Sequence, residues 1–300
     1  MNNKILGARI LLISVFVFVG VGCSKVKDET RSTLDLRSVK ESISKDDLGA
    51  AEKELDKIAI KNPDSAALGK AYFDIAKAYE EKNELVKAKG LYRLILARYQ
   101  NVEDILEVQE RMGRLSVKIL FSSIITDEDM LYEVEPGDTL LKIAKKFGTT
   151  VDLIKASNSL KGDMIQARSR LKVSTAKYKI LVDKSRNALT LFSDDDNIVK
   201  VYPVSTGKDG STPIGSFAIV NKMKDPVWYK EGAVVPAESP DNILGSRWLG
   251  ISKKGYGIHG TTDPKSVGTQ ATQGCVRMYN SDVEELFTII PVGTEVTIMD

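Results

Sequence analysis

The apolar residues of this chain change their repeat partway along, and that change divides the chain into unlike parts. Between Leu48 and Ile119 they recur at steps of three and four: Leu48, Ala51, Leu55, Ile58; Leu68, Tyr72, Ile75 or Ala76, Tyr79; Ala88, Leu91 or Tyr92, Ile95, Tyr99; Ile105, Val108, Met112, Leu115, Ile119. Residues at that spacing share one face of a helix, and the face must be buried. Four amphipathic helices are expected, broken at Asn62-Pro63 and turned at Glu81-Lys82-Asn83-Glu84. From Tyr178 the step becomes two: Tyr178, Ile180, Val182; Leu189, Leu191; Val199, Val201, then Val204; Phe217, Ile219; Val296, Ile298. Alternation of that kind belongs to strands with one buried side. A single helical array and a single all-β fold are both excluded, leaving a multidomain α+β chain.

The start of the chain is an export pattern. Lys4 and Arg9 precede an uncharged run from Ile10 to Ser24 that Lys25 closes. Fifteen residues fit the apolar region of a secretory signal and fall short of the roughly 20 needed to cross a bilayer. Residues 24–47 are polar, with few large apolar side chains, and read as a tether. With 43 Lys plus Arg against 41 Asp plus Glu, the net charge of +2 supplies no single-sign field that would favour nucleic acid. One histidine and two cysteines exclude most structural zinc sites, and no metal or cofactor is expected.

Residues 132–174 carry local signals for a strand, two helices and a strand. Tyr132 and Val134 alternate; Asp138 or Thr139 can cap a helix bearing Leu140, Ile143, Ala144 and Phe147; Gly148 stops it. Thr149 with Asp152 forms a capping pair for a second helix that ends at Asn158, and Leu171 and Val173 alternate again. Late in the β region, Ser281 and Glu284 fit a capping box ahead of Val283, Leu286, Phe287 and Ile290.

The lone histidine lies in Gly257-Ile258-His259-Gly260-Thr261, and Cys275 follows sixteen residues later in Thr272-Gln273-Gly274-Cys275-Val276-Arg277. A thiol is mostly protonated at neutral pH, and an imidazole that takes its proton makes a nucleophile. Glycines beside both residues suit tight turns and bare backbone N–H groups. Spacing alone leaves two readings: a catalytic pair, or a small buried thiol with an unrelated histidine.

Several segments resemble known families. Val19-Gly20-Val21-Gly22-Cys23-Ser24 resembles the lipobox of bacterial lipoproteins, which implies lipidation of Cys23 and cleavage before it; an uncleaved signal anchor is the alternative. Either places the protein in the bacterial cell envelope on the extracytoplasmic face, tethered to a membrane, and a lipidated Cys23 leaves Cys275 without a disulfide partner. Tyr72, Ala76, Tyr79, Ala88, Tyr92 and Ile95 resemble one tetratricopeptide repeat, which implies a docking surface for another envelope protein; a helical spacer is the alternative. Gly137 to Leu140, Ile143-Ala144, Phe147-Gly148 and Asn158 resemble the LysM module, which binds N-acetylglucosamine-containing glycans.

His259-Gly260-Thr261, Gly274-Cys275-Val276-Arg277-Met278 and Asn280 resemble the active-site signature of L,D-transpeptidases with a YkuD-type catalytic domain. Thr212-Pro213-Ile214-Gly215, Asn242, Arg247-Trp248-Leu249 and Pro291-Val292-Gly293-Thr294 extend the resemblance. The expected organisation is a signal over 1–23, a tether over 24–47, TPR-like helices over 48–125, a βααβ LysM module over 132–175 and a mainly-β catalytic domain over 177–300. The resemblance implies acyl transfer on peptidoglycan stem peptides, with Cys275 as nucleophile, His259 as base and the Gly260 carbonyl holding the imidazole. It implies an oxyanion hole from the N–H groups of Gly274 and Cys275, and makes Arg277, Thr272 and Trp248 the substrate-binding candidates. Part of 221–250 would cap the cleft or form a long surface loop. Trimming of stems by water, an L,D-carboxypeptidase activity, is the alternative reaction, and a non-catalytic glycan-binding scaffold the alternative class. NlpC-type cysteine peptidases place Cys before His, the reverse of the order here.

Overall fold

The computed structural model describes residues 34–300 apart from 64, 194, 195 and 231; the export run and Cys23 lie outside the described residues. Leu36 to Asp300 form one compact unit.

Five helices come first: α1 (Arg37–Ser44), α2 (Leu48–Lys61), α3 (Ala66–Glu81), α4 (Leu85–Arg98) and α5 (Ile105–Leu120). The first of them corrects the tether expected over 24–47. Leu36, Val39 and Ile43 repeat the three-and-four spacing, and Val39 is 1% exposed. The stripe is one residue wide, so composition hid it. In α2 the Asp47 carboxylate caps by accepting from the Ala50 N–H at 3.0 Å. Ala76 and Ala88 are fully buried where α3 meets α4, small enough for the two backbones to approach closely.

The next unit is β1 (Asp129–Glu133), α6 (Leu140–Phe147), α7 (Val151–Ser157) and β2 (Arg170–Ser174), with β1 and β2 antiparallel and Tyr132 opposite Leu171. Thr139 caps α6, and Gly148 ends it in the left-handed region at φ 66°. The cap of α7 is Thr150 rather than Thr149: the Thr150 hydroxyl accepts from the Leu153 N–H at 2.9 Å, while the Thr149 hydroxyl is buried without a partner. Asn158 brackets Lys172 of β2, donating to its carbonyl and accepting from its N–H, both at 2.8 Å.

The remainder is built on β3 (Tyr178–Asp183), β4 (Ala188–Ser193), β5 (Ile198–Pro203), β6 (Thr206–Gly207), β7 (Gly215–Lys224), β8 (Trp228–Lys230), β9 (Ala233–Val235), β10 (Arg247–Ile251), β11 (Gly257–His259), β12 (Gln270–Thr272), β13 (Val276–Arg277), α8 (Asn280–Ile289) and β14 (Glu295–Met299). Eight strands form one sheet in the order β13-β11-β10-β7-β14-β3-β4-β5; β12 with β6 and β8 with β9 form separate pairs. The weakly periodic stretch 221–250 therefore holds the end of β7, a hairpin and the start of an inner strand. The capping box expected at Ser281 and Glu284 does not form; Tyr279 opens α8 without a side-chain cap. The chain leaves β13 through the Met278 N–H, bonded to the His259 carbonyl at 2.8 Å, and turns straight into the helix.

The three parts share a core. Val117 and Leu120 of α5 and Leu153 of α7 belong to the same buried cluster as Leu189, Leu191, Tyr202, Leu249, Ile258, Val276 and Leu286. Thr150 donates its hydroxyl to the Thr288 carbonyl, and Lys222 donates to the Phe287 and Ile290 carbonyls, closing the C-terminal end of α8. Among the described residues, no helix is long and apolar enough to cross a membrane.

Candidate active site

Register across three strands builds the site. Trp248 of β10 lies opposite His259 of β11, which lies opposite Arg277 of β13; one residue earlier, Leu249 and Ile258 are partners, and Val276 faces Ile258. Alternation puts Leu249, Ile258 and Val276 into the core and Trp248, His259 and Arg277 on the other face. Cys275 immediately precedes β13, so the same register sets it beside Gly257 and diagonal to His259 on that face. Diagonal neighbours on a sheet stand about 7–8 Å apart at Cα, within reach of two side chains.

His259 is 2% exposed, and its Nδ1 lies 2.7 Å from the Gly260 carbonyl oxygen. A carbonyl only accepts, so Nδ1 carries the proton and Nε2 keeps its lone pair. Trp248 stacks on the imidazole, ring centres 6.0 Å apart and planes 20° from parallel, and its indole N–H donates to Asn221 Oδ1 at 3.1 Å. Burial, with Arg277 adding to it, pushes the imidazole down to about 4, against the Gly260 and Leu244 carbonyls that favour its charged form. His259 is therefore buried and neutral at physiological pH.

Cys275 is half-buried, and its Sγ lies 3.8 Å from the Gly255 carbonyl. Burial pushes the thiol up; the Gly257 N–H and Arg277 pull it back. Burial thus favours the neutral form of both groups, raising the thiol and lowering the imidazole.

The other expected residues lie in the same loop cluster with distinct contacts. Thr272 is buried, and its hydroxyl donates to the Cys275 carbonyl at 2.6 Å and accepts from the Gly274 N–H at 3.1 Å. That bond occupies one of the two expected oxyanion donors; the Cys275 N–H makes no hydrogen bond among the described residues. Gly274 has φ 131°, and a Cβ on it would sit 2.7 Å from the Tyr256 ring. Arg277 donates to Ser266 Oγ at 2.9 Å, with its Nε buried and unpaired. Asn242, buried under the 226–244 segment, donates to the Pro226 and Pro236 carbonyls at 2.8 and 3.0 Å and accepts from the Leu244 N–H at 3.0 Å. Asn221 and Ser266 carry no local motif and emerge only once strands are paired.

His259 and Cys275 thus lie on one face at the edge of the eight-stranded sheet, on β11 and just before β13. The family model for the YkuD L,D-transpeptidase catalytic domain matches residues 177–298, and that for the LysM domain matches 132–174. A relative from Bacillus licheniformis named L,D-transpeptidase YkuD is 37% identical over 177 residues, covering 56% of this chain and 98% of the relative. Bacillus subtilis YqjB, also named as an L,D-transpeptidase, is 43% identical over 127 residues, covering 40% of this chain and 70% of its own length. The solved catalytic domain of an E. faecium L,D-transpeptidase is 23% identical, with a TM-score of 0.34, covering 41% of this chain and 97% of that one. The chain belongs to the L,D-transpeptidase family and carries a LysM domain.

Proposed function

We propose that Cys275 is the nucleophile and His259 the base of a peptidoglycan L,D-transpeptidase working on tetrapeptide stems. The observation that carries the reading is a buried imidazole whose Nδ1 is held by the Gly260 carbonyl, on the sheet face that also bears the half-buried Cys275 thiol. Sγ attacks the carbonyl between the third stem residue and the terminal D-Ala as its proton passes to Nε2. The Cys275 N–H receives the developing oxyanion, a donor worth about 3 kcal/mol in well-studied acyl transferases. The C–N bond breaks, the proton on Nε2 goes to the departing amine of D-Ala, and a thioester remains. An amine on a neighbouring stem then attacks the thioester, His259 takes its proton, and Cys275 leaves as thiol with a 3→3 cross-link made. A protein amine as acceptor gives an anchored protein, and water gives a trimmed stem. The LysM domain supports a peptidoglycan substrate, since it brings glycan binding to the same chain. Anchoring through Cys23 in the envelope, and docking of an envelope protein on α2 to α5, belong to the same reading.

Incubation with disaccharide-tetrapeptide, with and without an acceptor stem, and mass spectrometry of the products tests it. Release of D-Ala with a cross-linked dimer is expected from the wild type and none from Cys275→Ala. Equal turnover by that variant would remove the nucleophile.

A further inference from the structure

The peptide unit joining Gly260 to Thr261 is held at both polar ends by side chains. Its carbonyl accepts from His259 Nδ1 at 2.7 Å, and its N–H donates to Asn280 Oδ1 at 2.9 Å. Asn280 also donates Nδ2 to the Thr261 carbonyl at 2.9 Å, so it grips Thr261 as a neighbouring strand would, and Oδ1 takes the Ser246 N–H at 3.2 Å. Asn280 opens α8 at the surface, while Thr261 is only 4% exposed. Two glycines make room for the amide. A Cβ on Gly260 would lie 2.1 Å from Asn280 Oδ1, and one on Gly245, at φ 64°, would lie 2.2 Å from it.

We propose that Asn280 is a positioning residue for His259, acting through the Gly260–Thr261 peptide; this rests on the reading of His259 as the base. The peptide C–N bond is conjugated, so an acceptor on the N–H moves electron density toward the carbonyl oxygen. The Gly260 oxygen then holds the Nδ1 proton more firmly, fixes the ring plane and keeps Nε2 the basic nitrogen. The preceding peptide's Gly260 N–H goes to the Arg247 carbonyl, a bond that holds the backbone but leaves the Thr261 N–H to Asn280. Asparagine suits the position because its amide accepts two N–H bonds and donates one without bringing a charge. Aspartate keeps the acceptor and loses the donor; alanine loses all three bonds.

The chain has one histidine, so a sample labelled with nitrogen-15 at histidine gives the imidazole signals of His259 alone. The wild type is expected to show the Nδ1–H tautomer. Asn280→Ala is expected to show a mixed tautomer population and an imidazole that titrates at lower pH, with kcat reduced about tenfold or more and KM little changed. Asn280→Asp is expected to restore the Nδ1–H tautomer and raise the imidazole titration through its charge. Circular dichroism and thermal melting establish that each variant is folded, and the aspartate variant, equal in size, carries the test if alanine does not fold. A folded variant lacking the Asn280 amide with the wild-type tautomer and titration overturns the proposal, as does an Nε2–H tautomer in the wild type. The spectra report the coupling whether or not the enzyme turns over, so failure of the catalytic reading is told apart from failure of this one.

Discussion

At the scale of single residues, the environment of His259 decides how the protein responds to pH. An ordinary histidine gains its proton near 6.5, whereas burial holds this one neutral until about 4. The folded state thus binds fewer protons than the unfolded chain between those values, and folding stability contributed by the neutral ring is complete above 6.5 and lost as pH falls through 4. Two outcomes follow. The acid limb of kcat/KM should lie near pH 4, with no inflection near 6.5, and urea midpoints should fall across that window by the equivalent of about 3 kcal/mol. An acid limb near 6.5, unchanged by His259→Gln, would show that another group sets it. The cysteine acts at the other end: its thiol, pushed up by burial, should keep the alkaline limb above that of a free cysteine. His259, Cys275 and the glycines beside them were legible as candidates from residue type and from the resemblance to the family signature, since spacing alone left two readings. The tautomer, the direction of both titrations and the capture of the Gly274 N–H by Thr272 were not, since each depends on a partner fixed by folding.

Among elements, the short strands carry the site and were the hardest to read. The strands β10, β11 and β13 are five, three and two residues long, too short for alternation to register, and β11 begins at a glycine. The six- to ten-residue β3, β4, β5 and β7 announced themselves by period, and so did β14, five residues with Val296 and Ile298 alternating, as did α2 to α5 by theirs. Gly257 shows what the short strands are built around. A Cβ there would meet the Trp248 ring at 2.6 Å, so the glycine leaves the space in which the indole lies against His259. Gly257→Ala should therefore cost about 1–3 kcal/mol by overpacking and lower kcat as the indole is displaced. Chemical denaturation and steady-state kinetics measure the two effects, and a variant normal in both would mean that the ring pair tolerates movement. The misread start of α8 has a similar origin. Ser281 and Glu284 have the right types for a cap, but the preceding strand brings the chain in at Tyr279, two residues too early for them to serve.

Over the whole molecule, the three parts are joined by buried polar contacts as well as by apolar ones. Lys172 of β2 and Asp129 of β1 form an ion pair at 3.4 Å with both side chains 2% exposed, and the same ammonium donates to the carbonyls of Ile119, in the last turn of α5, and Ser122, just past it, at 2.9 and 3.0 Å. Removing one member of such a pair strands the other. Lys172→Met should lower stability by about 3–5 kcal/mol, read from urea unfolding, and speed amide exchange at the C-terminal turn of α5. Stability within about 1 kcal/mol of wild type would mean that water reaches Asp129 and relieves it. Leu153 makes the same point in apolar terms. It sits on a helix of the βααβ unit yet lies in the core beneath the catalytic sheet. These regions are consequently not interchangeable cassettes: a cut through the linker before β3 would leave a greasy flank on each fragment, and a graft of the catalytic segment into another chain would have to bring a replacement for that missing leucine.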